Sequence, residues 1–129
     1  MGFQSITNAI TTYFNAIAAT NNLIVIWSND PTDTPASGLW LEFNIDFGTS
    51  EQKELGINSY RNPGNVTIRI KGEIGKGESD VLAKADIIAT AFRRVDVSDI
   101  IFRVPRIVKV GRVDDNYQIN VICPFFVDN

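Results

Sequence analysis

The residues with the best claim to chemistry lie in one stretch, RNPGNVTIRIKGEIGKGESD (61 to 80), where Gly72, Gly75 and Gly77 separate an alternating run from a helix-like run. A phosphate-cradling P-loop needs G-x-x-x-x-G-K-[ST], so that backbone amides wrap the phosphates and a lysine and a hydroxyl follow the last glycine. No frame here supplies it. A dinucleotide fingerprint needs G-x-G-x-x-G, and the spacing present is G-x-x-G-x-G. A single-strand RNA clamp of the GxxG type wants basic flanks in a different helical context. The glycines read as a strand-to-helix turn, with anion binding at the helix start, Gly77 to Ser79, as the other reading.

The remaining reactive side chains are sparse. The chain has no histidine and a single cysteine, Cys123. Transition-metal sites, histidine acid-base catalysis and triad chemistry therefore lose their usual parts. Cys123 sits in an apolar run and reads as a small buried hydrophobe. Asp114 with Asp115, or Glu51 with Glu54, could be imagined as acid-base pairs, but each pair falls in a turn or loop and reads as solvated charge. No catalytic residue, cofactor or metal is expected, and the chain does not read as an enzyme.

Net charge is -3, unevenly spread. Residues 1 to 52 hold Asp30, Asp33, Glu42, Asp46 and Glu51 with no basic residue, whereas residues 53 to 129 hold twelve basic and ten acidic side chains. Arg103, Arg106, Lys109 and Arg112 make the second half locally basic, with Arg93 and Arg94 close by in sequence. Three readings stay open for them: a solvated strand face, ion pairing with an acidic neighbouring subunit, or nucleic-acid contact. Opposite-signed halves suit head-to-tail rings, which favours the subunit reading.

Positioning elements follow from periodicity. Phe3, Ile6, Ile10, Tyr13, Phe14 and Ile17 recur at helical spacing and predict a first helix ending near Asn21-Asn22. LIVIW (23 to 27) reads as a short strand and SNDPTDTPASG (28 to 38) as a surface loop. LWLEFNIDF (39 to 47) alternates, with Leu39, Leu41, Phe43, Ile45 and Phe47 on one face. Residues 48 to 64 lack a period and end in the turn signal Asn62-Pro63-Gly64. Val66, Ile68 and Ile70 mark another strand, with Gly72 in the apolar register. Val81, Leu82, Ala85, Ile88, Ala89 and Phe92 mark a second helix, capped by Ser79 or Gly77 and favoured by Glu78 and Asp80 at its start. After the link VDVSD come two strand-like runs, IIFRVPRIVKVGRV and YQINVICPFFV, joined through a hairpin turn at Asp114-Asp115-Asn116.

At 129 residues, one domain spanning 1–129 is the expectation. Its class is α+β: a mostly antiparallel sheet of about five strands with two helices on one face, in the order α-β-β-β-α-β-β. The longest strictly apolar run, Leu23 to Trp27, is far short of a membrane span. With Lys53 as the first basic residue there is no signal-like n-region, which implies a cytosol-like compartment and no membrane partner.

Together these segments resemble the tail terminator, or tail completion, proteins of long-tailed bacteriophages. The resemblance runs through the amphipathic first helix, IWSNDPTDTP, LWLEFNIDF, R-x-x-G-x-V-x-I-x-I from Arg61 and the G-x-G turn. It continues through the helix core of Ala83, Ala85, Asp86 and Ile88 to CPFFVD, Cys123 to Asp128. It implies a ring of six subunits that caps the phage tail tube, ends tube polymerisation and meets head completion or connector proteins. Such a protein assembles in the host cytoplasm and resides in the virion, at the head-proximal end of the tail. Contacts with the tube or a neighbouring subunit would come from Glu51, Lys53, Glu54, Arg61, Arg103, Arg106, Lys109 and Arg112. Asp30, Asp33, Glu42 and Asp46 would line the bore, so that DNA passes without specific binding. The alternatives are a neck or head-tail connector subunit and, in a different class, a small adaptor or nucleic-acid-binding domain.

Overall fold

A computed structural model describes residues 2–27, 38–48, 51–52, 60–73, 78–113 and 116–128, with residues 51, 52 and 60 described by their backbone alone. The chain order is α1 (Phe3–Thr20), β1 (Val25–Trp27), β2 (Trp40–Phe47), β3 (Glu51–Gln52), β4 (Tyr60–Glu73), α2 (Ser79–Phe92), β5 (Asp96–Val97), β6 (Ile100–Phe102), β7 (Arg106–Val113) and β8 (Asn116–Asp128). The α+β class holds. The strand count does not: these are eight strands in one sheet, ordered β1-β2-β4-β8-β6-β5, with β3 on β4 and β7 on β8.

Four departures from the pattern reading have physical causes. First, β1 pairs with β2 in parallel, Val25 opposite Leu41 and Trp27 opposite Phe43, so the sheet is mixed. A parallel pair cannot be closed by a two-residue turn, and the sequence joins these strands through residues 28 to 39. Second, Asn62-Pro63-Gly64 is strand, not turn: all three lie in β4, with Pro63 opposite Phe126 of β8. The Pro63 carbonyl accepts from Gly48 N at 2.8 Å, so the proline nitrogen faces the side where the β2 ladder has just ended at Phe47 opposite Gly64. A missing donor costs no ladder bond there. Third, β3 and β5 are two-residue strands defined by backbone pairing, which no side-chain alternation announces. Fourth, the run from Ile100 to Val113 is broken between β6 and β7, where Pro105 cannot donate to a ladder. The two pieces follow one another along the same edge of β8.

The core lies between the helices and one sheet face. Ile6, Ile10 and Phe14 of α1 and Val81, Ala85, Ile88, Ala89 and Phe92 of α2 are buried in one cluster with Leu41, Phe43, Val66, Ile68, Ile70, Val121, Cys123 and Phe125. Neither helix has a side-chain cap at its N-terminus. The residue before α1 is Gly2, which has no side chain to offer, and that before α2 is Glu78, whose side chain does not bond the helix end, which corrects Ser79 or Gly77 as the α2 cap. Packing of the apolar stripes holds both. Phe14 is central: its ring stacks on Phe43 at 4.8 Å and meets Phe92 at 6.1 Å and Trp27 at 6.0 Å. Tyr13 ties the helices together, its hydroxyl donating to the Ala91 carbonyl at 2.5 Å. Burial raises its pKa.

Candidate interaction surface

Of the three glycines that opened the question, Gly72 lies in β4 while Gly75 and Gly77 fall outside the described residues. Gly72 has a packing role. A Cβ at this position would lie 2.6 Å from Val81 Cγ2, closer than carbon atoms approach, so only glycine lets α2 settle on β4 here. The start of α2 already has a carboxylate of its own: Glu78 accepts from Lys109 Nζ at 3.2 Å and from the hydroxyl of Tyr117. Those two bonds, Tyr117 first, hold the Glu78 carboxyl below its ordinary range, and the same contact raises the Tyr117 phenol. Lys109 is thereby committed within the chain, joining β7 to the start of α2.

The sheet face away from the helices is polar and crossed by ion pairs. Glu42 of β2 sits opposite Arg69 of β4 and is held by Lys71 at 3.4 Å and Arg69 at 4.0 Å. Its charge is met inside the chain. Trp40 is on the same face yet nearly fully buried, with Lys71 Nζ 5.1 Å from its ring centre. Asp46 is exposed, and its carboxylate accepts from Asn44 at 3.1 Å. Asp30 and Asp33 lie outside the described residues, as do Lys53 and Glu54.

At the far end of this face, Arg61 Nε and Nη2 grip the two carboxylate oxygens of Asp128 at 2.9 and 3.1 Å. Arg61 and Arg103 both stack on Phe126, at 4.1 and 4.8 Å from its ring centre. A shallow groove of about 330 Å³ runs past these two arginines, Pro63 and Pro124. The structure thus brings Arg61 and Arg103 together, which no spacing in the sequence indicates. Glu51 reaches the same end by its backbone, paired with Arg61. Arg106 and Arg112 stand apart on β7, exposed and with no acidic partner among the described residues.

Sequence reasoning missed the apolar character of β7. Ile107, Val108 and Val110 are exposed along it and Val104 precedes it. The signal was present as IVKV, apolar on both faces of a strand that, among the described residues, pairs with β8 alone. Among the described residues no group of histidine, cysteine, aspartate and glutamate is placed to hold a metal ion. None of the described helices is long and apolar enough to cross a membrane. Cys123 is fully buried, and burial pushes its thiol up to about 12.

Comparisons with known proteins bear on the fold and the family. No curated protein matches the sequence. One solved chain superposes with a TM-score of 0.62 at 18% identity, with 94% of each chain covered. A chain from the virion of a native gene transfer agent particle superposes with a TM-score of 0.58 at 14% identity, covering 95% of this chain and 93% of its own. At such identities the likeness concerns the fold. The family model described as phage tail terminator protein matches residues 5–121, which take in α2, all of α1 but its first two residues, and all described strands but the end of β8; the chain belongs to the phage tail terminator protein family.

Proposed function

We propose that this protein is a structural virion component, a ring of six subunits that caps the phage tail tube. The ring ends tube polymerisation and presents a surface to a head completion or connector protein, at the head-proximal end of the tail. What carries this reading is family membership over residues 5–121. The role calls for surfaces and no catalysis, which suits a chain with no histidine and a single buried cysteine.

Arg61 and Arg103, beside the groove at one end of the sheet, are the tube-contact candidates with the best geometry, since their guanidinium groups are already ordered on Phe126. Preordered side chains lose less freedom on binding. Asp46 is the described acid best placed to repel DNA in a bore, because Glu42 is neutralised by Lys71 and Arg69. Native mass spectrometry of the purified protein, alone and after addition to tail tubes, tests the ring. Six copies per particle are expected, and a protein that stays monomeric in both settings contradicts it.

A further inference from the structure

The groove beside Phe126 carries an unbalanced charge. One ring gathers two guanidinium groups, Arg61 at 4.1 Å and Arg103 at 4.8 Å from its centre. Asp128 answers Arg61 with both carboxylate oxygens. Arg103 is exposed and has no acidic partner among the described residues. Among the described residues that line the groove, none is acidic.

The surroundings of Arg103 prepare it for a partner. An arginine laid on an aromatic ring is steadied by that ring and keeps the edge of its guanidinium, with its N–H donors, for another group. Around it the surface is apolar: Pro63 and Pro124 line the groove, and Ile101 of β6, opposite Phe126, is 37% exposed. Arginine and aromatic side chains on apolar ground are the composition of the tightest spots in protein interfaces.

Charge and shape select the occupant. The planar edge of a guanidinium matches a carboxylate, which it binds through two parallel hydrogen bonds. A nucleic-acid strand fits worse, because its phosphates repeat along the chain and the Asp128 carboxylate, 26% exposed at the same end of the sheet, repels the next one. A lone carboxylate brings no second charge to place there.

We propose that this groove docks an acidic side chain, glutamate or aspartate with apolar neighbours, from a segment of the tail tube protein. Arg103 takes the carboxylate, Phe126 and the two prolines take the apolar neighbours, and the Arg61–Asp128 pair joins the start of β4 to the end of β8 beside them. The inference rests on the tube-capping reading and names the chemistry of that contact.

NMR of the full chain, titrated with a blocked leucine-glutamate-leucine peptide, reads the groove directly. The Arg103 side-chain Nε–H and the Phe126 ring are expected to shift, and the glutamine counterpart of the peptide should leave both in place. Arg103→Gln raises the dissociation constant about tenfold or more, through loss of a charge-assisted pair. Arg93→Gln removes an exposed charge outside the groove and should change it by less than about twofold. Equal losses from the two variants, or tighter binding of inorganic phosphate or a short DNA duplex at the same resonances, would overturn the carboxylate site. Cosedimentation with tail tubes then tests the partner: Arg103→Gln should bind tubes about tenfold more weakly or worse, with unchanged circular dichroism. If it binds and shortens tubes like the wild type, the groove contact is wrong while the tube-capping reading stands. If the wild type ignores tubes yet the groove takes the peptide, the tail tube is the wrong partner and the tube-capping reading falls, whereas the carboxylate site stands.

Discussion

Single residues in this protein are specified by what they touch. At Gly72 the decisive neighbour is one methyl group, Val81 Cγ2, 2.6 Å from where a Cβ would sit. Gly72→Ala is expected to lower stability by about 1–3 kcal/mol, the usual cost of overpacking a core. In a Val81→Ala background the same change should cost much less, a coupling that denaturant unfolding of the four proteins in the cycle would measure. Glu78 makes a second residue-scale prediction. Its carboxyl titrates below the ordinary value near 4.5, chiefly through Tyr117 and then Lys109. A depressed folded-state pKa means that the stabilisation is present above the unfolded-state value and is lost as pH falls through the folded one. An NMR titration should place Glu78 below an unperturbed glutamate, with Tyr117→Phe and Lys109→Met each moving it back toward the ordinary value. No change in Tyr117→Phe would remove the tyrosine as a cause.

Elements differ in how openly the sequence declares them. The stripe of α1 and the face of α2 are visible from spacing alone, because a helix must bury one side and both do: Ile6, Ile10 and Phe14, then Val81, Ala85, Ile88 and Phe92. Within α1, spacing cannot rank the stripe. Phe14 is enclosed by Phe43, Phe92 and Trp27, whereas Phe3 lies at the exposed start, stacked on Phe47 at 4.3 Å. Phe14→Ala should cost about 3–5 kcal/mol and Phe3→Ala well under half of that, a difference that thermal unfolding would register. The two-residue strands β3 and β5 and the parallel partnership of β1 were illegible, since backbone pairing over long sequence distances leaves no local pattern. Pro63 misled because proline and glycine punctuate most chains as turns, yet here the strand passes through them past the end of its neighbour. At the candidate surface, the basic residues of β7 were visible as a group, but their separation from the Arg61, Arg103 and Phe126 cluster depends on how β4 and β8 pair.

At the scale of the whole molecule, the described residues leave one polar sheet face, and strands β1 and β7 that each pair with one neighbour among those residues, as surfaces for other chains. The helices occupy the other face and close the core, so new contacts are left to the edges and the polar side. Family membership gives those contacts a setting in the phage tail. The central claim is that the protein ends the growth of a tail tube, and the length distribution of tubes seen by electron microscopy tests it most directly. Tail tube protein polymerised with increasing amounts of this chain should give progressively shorter tubes, each bearing a ring at one end. Tubes of unchanged length with bare ends would contradict the account.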